Sequence, residues 1–250
     1  MLHIEERGSG IPIVLLHGTP TTPAHLRPLA ERLARGTRTL LVHLPGYGSS
    51  PPLIPYDIER AHAAVEEALL ARGAAEAHFI GHSGGAYRAF ALATRGIVRP
   101  RTITGLSALA RLSPTMQGSF VAFAAMLRRG DDVADAVEAL MLSPRARQDP
   151  AWVSDVRGWA TASPAAHLAD ELEAFARAPD LRGDLALLDA PILLRVGALD
   201  EATPPPRSEE IAAVARHASL QVVADVGHAL LLEDFDATAA AVERHLLNHS

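Results

Sequence analysis

The sequence predicts an α/β fold, in which a mostly parallel central sheet is flanked by helices and an all-helical segment is inserted in the second half. Two observations support this. Short apolar runs alternate with longer stretches of helical periodicity, as in the strand–helix–strand units of a parallel sheet. Between about residues 107 and 183 this alternation stops and only helical stretches remain. The length, 250 residues, fits one domain that carries a small insertion.

Six apolar runs are predicted to form strands. They are continuous rather than alternating, as expected of strands that helices cover on both faces. The runs are residues 11–16, 39–42, 77–80, 101–106, 191–196 and 220–223. The turn Gly8-Ser9-Gly10, just before the first run, is predicted to be a hairpin connection.

Helical stretches separate the strands at residues 24–35, 58–72 and 86–94. In the first, apolar residues recur at Leu26, Leu29 and Leu33, which places them on one face of a helix. The run of three prolines after Thr203 is predicted to be a short stiff turn.

The inserted segment contains four helical stretches, at residues 119–128, 132–142, 151–161 and 165–178, separated by turns that contain proline. Because strands resume after it, the segment is predicted to form a cap, or lid, over the carboxyl edge of the sheet. The predicted domains are therefore a core of residues 1–106 and 184–250 and a helical cap of residues 107–183.

Composition excludes several classes of function. The chain has no cysteine, which rules out disulfides, a thiol nucleophile and cysteine-bound zinc. Its net charge of −6 argues against nucleic acid as a partner. Phosphate-loop, dinucleotide and zinc-protease motifs are absent, so neither a metal nor another cofactor is expected. No signal-peptide pattern and no apolar run long enough for a membrane span are found, which predicts a cytoplasmic protein. The expected partner is a small-molecule substrate, and the expected state is a monomer or homodimer.

One short motif predicts a nucleophile. Residues 81–85 read Gly-His-Ser-Gly-Gly and match G-x-S-x-G between a predicted strand and a predicted helix, the context that this motif requires. A serine in such a tight turn has a strained backbone, and Gly81 and Gly85 provide the room it needs. Its hydroxyl then lies at the positive end of the helix. The alternative is a glycine-rich turn in which Ser83 only caps the helix.

A second segment, His17-Gly18-Thr19-Pro20, ends the first predicted strand. A serine nucleophile needs two backbone N–H groups that bind the negatively charged oxygen of the reaction intermediate. The expected donors of this oxyanion hole are Gly84, which follows the nucleophile, and Thr19. The alternative is that residues 17–20 form an ordinary turn.

These segments, together with residues 44–50, 197–200 and 227–228, resemble the α/β-hydrolase superfamily, and specifically its lid-bearing, esterase-like serine hydrolases. The resemblance covers nearly the whole predicted core. It implies the α/β-hydrolase fold and a Ser-His-Asp triad. In one departure, His43 stands where many relatives have an acidic residue that supports a loop. Ser83 argues against the epoxide hydrolases and haloalkane dehalogenases of this superfamily, which use aspartate.

The resemblance implies that the base is a histidine after the last strand and that the acid follows the preceding strand. His228 and Asp200 occupy these positions, in the order Ser…Asp…His expected of this fold. Asp200 would hold one tautomer of His228 and stabilise its protonated form. Glu201 and Asp225 are the rival acids.

The substrate pocket is expected between cap and core. The cap helices carry more apolar side chains than their own packing obviously needs, and His17 and His82 flank the nucleophile, where hydrogen bonds from them are expected to support the site. The expected pocket residues are His17, His82, Phe120, Phe123, Met126, Trp152 and Trp159.

The predicted function is cleavage of a small to medium, mainly apolar ester through an acyl-enzyme, by a carboxylesterase-like serine hydrolase. The same triad would also serve a carbon–carbon bond hydrolase, a lactonase, an amidase or an aminopeptidase. An alternative of another class is a receptor-like protein that binds a ligand with little turnover.

Overall fold

The computed structural model describes residues 1–249, which form a seven-stranded sheet with helices on both faces. The strand order is β1-β3-β2-β4-β5-β6-β7. β1 is antiparallel to β3, and every other pairing is parallel. The strands are β1 Ile4–Arg7, β2 Pro12–Leu16, β3 Arg38–Val42, β4 Glu76–His82, β5 Arg99–Leu106, β6 Ile192–Gly197 and β7 Ala218–Val223. The predicted mostly parallel sheet is thus confirmed.

Helices fill the connections between the strands and follow the last of them. None of the helices within residues 1–249 has the length and apolar character needed to cross a membrane. The α-helices are α1 Pro23–Leu33, α2 Ile58–Leu70, α3 Gly84–Arg95, α4 Pro114–Arg129, α5 Ala134–Met141, α6 Pro150–Trp159, α7 Ala165–Ala176, α8 Arg182–Leu185, α9 Pro205–Ala212, α10 Leu230–Glu233 and α11 Phe235–Leu247, with a short 3₁₀ helix at Ala146–Gln148.

The sheet separates two apolar layers because successive side chains of a strand point to opposite faces. On one face, Val14 and Leu16 pack with residues of α2 and α3, such as Val65. On the other, Ile13 and Leu15 pack with residues of α1 and α11. A strand with apolar side chains on both faces reads as a continuous run, which is why the sequence marked these strands clearly.

Two local predictions are wrong. The turn at residues 8–10 is not a hairpin connection, because β1 pairs with β3 and not with β2, so the chain crosses β3 before it enters the sheet again. The proline run is not merely a turn, since Pro205 and Pro206 form the first turn of α9. Proline is tolerated there because the first N–H groups of a helix have no partner within the helix.

Helices α4 to α7 lie between β5 and β6 and are called the insertion below. They share an apolar cluster of their own, to which Val137, Val156 and Leu168 contribute fully or almost fully buried side chains. α4 packs mainly against α7, and α5 against α6. The division into a core and a cap at residues 107 and 183 stays a prediction.

Candidate active site

Ser83 lies in the sharp turn between β4 and α3. Its backbone angles are φ 55° and ψ −123°, a strained conformation for a residue with a side chain. Its N–H donates to the carbonyl of Leu106 on β5 at 2.9 Å, which ties the turn to the sheet. The motif needs glycine at two positions because there is no room for a side chain. A Cβ atom on Gly81 would lie 2.3 Å from the carbonyl oxygen of Gly85, and a Cβ atom on Gly85 would lie 2.0 Å from the carbonyl oxygen of Leu16.

His228 and Asp200 form a hydrogen-bonded pair at the carboxyl ends of the strands. Nδ1 of His228 lies 2.9 Å from each carboxylate oxygen, and neither side chain is exposed. Burial opposes the charge of Asp200, but His228 and the N–H of Thr203, 2.7 Å from Oδ1, outweigh it and lower the pKa of the carboxyl. Because a carboxylate only accepts hydrogen bonds, Nδ1 carries the proton and Nε2 is left with a free lone pair.

The two rival acids lie elsewhere. Glu201 is exposed and contributes to the wall of a cavity, without a hydrogen bond to His228 among the described residues. Asp225 is exposed in a turn, where its φ is 59°. Of the three candidates, Asp200 alone contacts the imidazole within residues 1–249.

Two neighbouring side chains hold the backbone carbonyl of His228, and a third holds one of these two residues in place. Nε2 of His82 and the hydroxyl of Ser107 both donate to the carbonyl of His228, at 3.0 and 3.1 Å. Thr203 in turn donates to the carbonyl of Ser107 at 2.8 Å. Burial, followed by the nearby His228, lowers the pKa of His82 to about 3, so His82 stays neutral and donates through Nε2.

The ring of His82, which precedes Ser83, lies 4.8 Å from the ring of His228, but no hydrogen bond joins Ser83 to His228 in the described part of the chain. Nε2 of His228 is buried without a partner, and the Ser83 hydroxyl makes no hydrogen bond within residues 1–249. Such a contact commonly tightens only when a substrate is bound. The structure therefore presents a histidine–carboxylate pair and a separate, strained serine.

The two expected oxyanion donors come together beside Ser83. Neither the N–H of Thr19 nor that of Gly84 donates to a protein acceptor in the described part of the chain. A Cβ on Gly84 would lie 3.3 Å from Oγ1 of Thr19, and one on Gly18 would lie 3.0 Å from Cβ of Ser83. Gly84 also begins α3, at the positive end of the helix dipole.

A cavity of about 490 Å³ opens beside Ser83. Thr19 and Gly84 line it, and its wall is mainly apolar. α4 contributes four of the large apolar side chains, namely Met116, Phe120, Phe123 and Met126. Among the described residues that line the cavity, Glu201 is the one with a charged side chain.

Three expected pocket residues, Phe120, Phe123 and Met126, line this cavity, and four do not. His17 is fully buried next to the oxyanion segment, where Nδ1 donates to the carbonyl of Gly18 at 2.9 Å and Nε2 accepts from the N–H of Leu44 at 3.3 Å.

The other three make different contacts. His82 donates to the carbonyl of His228, as described above. Trp159 packs edge-on against the ring of His25, 4.7 Å away, and Trp152 packs on the apolar cluster of the insertion. The two tryptophan side chains therefore pack inside the insertion and against α1, and they do not line the cavity.

His43 takes over the role expected of an acidic residue. Its Nδ1 accepts the N–H of Ser49 at 3.1 Å, and its Nε2 donates to Glu5 at 2.8 Å. The hydroxyl of Ser50 donates to the His43 carbonyl at 2.6 Å. A histidine therefore supports this loop, and Glu5 on β1 supplies the acid.

A buried ion pair beside Thr19 was not predicted from the sequence. Arg88 on α3 and Glu171 on α7 are in contact, and both side chains are at most 1% exposed. A signal was present, since Glu171 shares one helical face with Leu168, Leu172 and Phe175, all of which are apolar. A charge on an apolar stripe predicts a buried partner, although the sequence does not say which one.

Comparison with known proteins agrees with the fold. A sequence model of the "Alpha/beta hydrolase family" matches residues 13–241. A pimeloyl-[acyl-carrier protein] methyl ester esterase from Xanthomonas oryzae pv. oryzae is 30% identical, over 97% of this chain and 98% of that protein.

Two solved structures are similar along the whole chain. A thermophilic esterase from Thermogutta terrifontis has a TM-score of 0.91 at 24% identity and covers 100% of this chain and 94% of that one. The enol-lactonase from Burkholderia xenovorans LB400 has a TM-score of 0.90 at 25% identity and covers 98% and 96%. With its seven-stranded sheet, the serine turn after β4 and the matching family model, this chain is a hydrolase that belongs to the alpha/beta hydrolase family.

Proposed function

We propose that this protein is a carboxylesterase-like serine hydrolase that cleaves small to medium, mainly apolar esters through an acyl-enzyme. The observation that carries the proposal is the position of Ser83, in a strained turn that opens on an apolar cavity of about 490 Å³. The buried His228–Asp200 pair supports it.

In the proposed reaction, Ser83 attacks the ester carbonyl while Nε2 of His228 takes the hydroxyl proton. Asp200 stabilises the imidazolium and holds its orientation. The N–H groups of Thr19 and Gly84 bind the negatively charged oxygen. His228 then passes its proton to the leaving alcohol and takes one from a water molecule, which attacks the acyl-enzyme and releases the acid.

The cavity supports neutral, compact substrates. Its volume lies within the range of about 300–1,000 Å³ that is usual for small-molecule sites. No cationic side chain is among its described lining residues, so a carboxylate on the substrate would be buried without a counter-charge. Each methylene that is well buried should contribute up to about 0.8 kcal/mol until the cavity is full.

The substrate need not be attached to a carrier protein, although the Xanthomonas relative is named for such a substrate. Several arginines of the insertion are engaged by acidic neighbours, which leaves less free positive charge for an anionic partner. Arg128 contacts Asp170 and Glu173, Arg129 contacts Asp131, and Arg157 contacts Asp135 and Glu138. We therefore favour free esters.

Lactone hydrolysis is the second candidate. The enol-lactonase from Burkholderia xenovorans LB400 is similar over 98% of this chain. A lactone is a cyclic ester, and the same nucleophile, base and oxyanion donors would open it. Parallel assays with γ- and δ-lactones separate the two candidates.

The test is turnover of p-nitrophenyl esters from acetate to laurate. We expect kcat/KM to rise over a few carbons and then fall, and Ser83→Ala to fold normally but lose a factor of about 10⁴ or more in kcat. A fluorophosphonate should label Ser83, as seen by mass spectrometry. Near-native turnover by Ser83→Ala, or label on another serine, would refute the assignment. A single slow turnover would favour a receptor, and turnover that rises steadily to laurate would indicate a lipase-like open cleft.

A further inference from the structure

The buried ion pair between α3 and α7 is held by two tyrosines as well as by its own contact. Nη2 of Arg88 donates to Oε1 of Glu171 and also to the Tyr56 hydroxyl, at 2.8 Å from the latter. The Tyr47 hydroxyl donates to Oε2 of Glu171 at 2.6 Å. The guanidinium carbon of Arg88 lies 4.5 Å from the centroid of the Phe175 ring. Both carboxylate oxygens are therefore fixed in direction.

The same pair contacts both segments that provide the proposed oxyanion donors. Oε1 of Glu171 accepts the hydroxyl of Thr19 at 2.9 Å. Nη1 of Arg88 donates to the carbonyl of Gly84 at 3.2 Å and lies 3.5 Å from Oγ1 of Thr19. One ion pair thus connects the loop after β2 to the first turn of α3.

Stability alone does not account for these charges. An apolar pair of similar volume often packs at least as stably as a buried ion pair, because two charges must leave water. Burial opposes the charge of Arg88, but Tyr56 and Glu171 outweigh it and raise the pKa of the guanidinium above its ordinary value. What the charged pair provides, and an apolar pair does not, is a hydrogen-bond acceptor of fixed direction for Thr19.

We propose that Glu171 is a positioning residue for the oxyanion hole, because its carboxylate holds the Thr19 hydroxyl and thereby aims the Thr19 N–H at the acyl oxygen. This rests on the proposed function, since the negatively charged oxygen forms only when Ser83 attacks an acyl carbon. Glu171 belongs to α7, and Leu172 and Phe175 of the same helix line the cavity. The insertion therefore completes the oxyanion hole in addition to forming the pocket.

The first test compares two ketones of equal chain length as inhibitors. A trifluoromethyl ketone forms a hemiketal with Ser83, and its oxygen occupies the oxyanion hole, whereas the methyl ketone binds as an unreacted ligand. We expect Thr19→Val to weaken inhibition by the trifluoromethyl ketone about 10-fold or more and to lower kcat by a similar factor. KM and inhibition by the methyl ketone should stay within about twofold, and Thr19→Ser should restore the wild-type values.

The second test addresses Glu171 itself. Glu171→Leu, which leaves no hydrogen-bond acceptor at this position, should show the same selective loss, and the double variant with Thr19→Val should lose little more, because both substitutions remove the same contact. Glu66→Leu is the matched control. Glu66 pairs at 2.8 Å with Arg95, which is also on α3, and its side chain is 5% exposed. It contacts no part of the proposed site, so we expect unchanged inhibition by both ketones.

The outcomes separate this inference from the proposed function. If the ratio of inhibition by the trifluoromethyl ketone to inhibition by the methyl ketone is the same for Thr19→Val as for the wild type, the inference is wrong and the proposed function stands. If the wild type does not distinguish them, or Ser83→Ala still does, both are wrong. Should Glu171→Leu fail to fold, Thr19→Val decides the question alone, because it leaves the ion pair in place.

Discussion

Asp200 and Glu201 are neighbours in sequence but have different surroundings. The Asp200 carboxylate is buried and accepts hydrogen bonds from His228 and Thr203. Glu201 is exposed at the cavity wall. Because the pKa of Asp200 is lowered, its carboxyl is ionised throughout the neutral range and can keep the proton of His228 on Nδ1.

Substitution of these two residues should therefore have unequal effects. Asp200→Asn replaces an acceptor by an amide that can favour the wrong imidazole tautomer, and we expect kcat to fall by up to about 10⁴. Glu201→Gln should change kcat less than about threefold, because no contact to His228 is lost. Steady-state kinetics on one short ester measures both. The reverse ranking would make Glu201 the acid.

At the scale of elements, α7 and the turn before it attach the insertion to the loop that follows β3. Nε2 of His167 donates to the carbonyl of Pro45 at 2.7 Å, and the Ser163 hydroxyl donates to that of Gly46 at 3.0 Å. A Cβ on Gly46 would lie 2.2 Å from Nε2 of His167, so the loop can approach this closely only as glycine. α4, in contrast, provides four of the large apolar side chains in the wall of the cavity.

Elements with a strong apolar pattern could be predicted, and elements without one could not. β1 was missed because a strand at the edge of a sheet pairs on one side only, and here only Ile4 of its four residues is buried. α9 was missed because its first turn contains Pro205 and Pro206, which read as a break. α11 was also not predicted, although Val242 and Leu246 on it are buried.

The residues of the candidate site show the same distinction, between local motifs and contacts that join distant segments. Ser83 and its glycines form a local motif, so sequence alone located them. The Arg88–Glu171 pair joins residues that are 83 positions apart, and nothing local specifies that α3 and α7 meet. Likewise, which apolar side chains of the insertion face the cavity depends on how the helices pack. Phe120 lines the cavity, whereas Trp159 packs against His25.

At the scale of the whole molecule, several histidines are buried without charge. Burial is the largest cause that lowers the pKa of His17, His62 and His82 to about 3 and that of His25 well below its usual value. An unfolded chain binds protons on these rings below about pH 6.5, whereas in the folded chain His17, His62 and His82 do so only near pH 3. The contribution of these neutral rings to the free energy of unfolding is therefore fully present above about pH 6.5 and is lost as the pH falls toward 3.

His62→Leu tests this dependence. Within residues 1–249 neither ring nitrogen of His62 has a hydrogen-bond partner, and a carboxylate oxygen of Glu59 lies 3.7 Å from Nδ1. Between pH 6 and 4 we expect the variant to lose stability less steeply, by up to about 1.4 kcal/mol per pH unit. Urea unfolding at several pH values measures the slope. The exposed His217, replaced by Gln, is the control, and equal slopes for His62→Leu and wild type would contradict the prediction.

The mainly apolar cavity also has a consequence for the end of each catalytic cycle. Ester cleavage converts a neutral acyl group into a carboxylate, and the cavity offers that anion no cationic side chain among its described lining, while the acidic Glu201 stands at its wall. The product should therefore be expelled soon after it forms, and added free acid should inhibit only weakly. Glu201→Gln should strengthen this product inhibition severalfold, and no change would show that expulsion depends on the apolar wall alone.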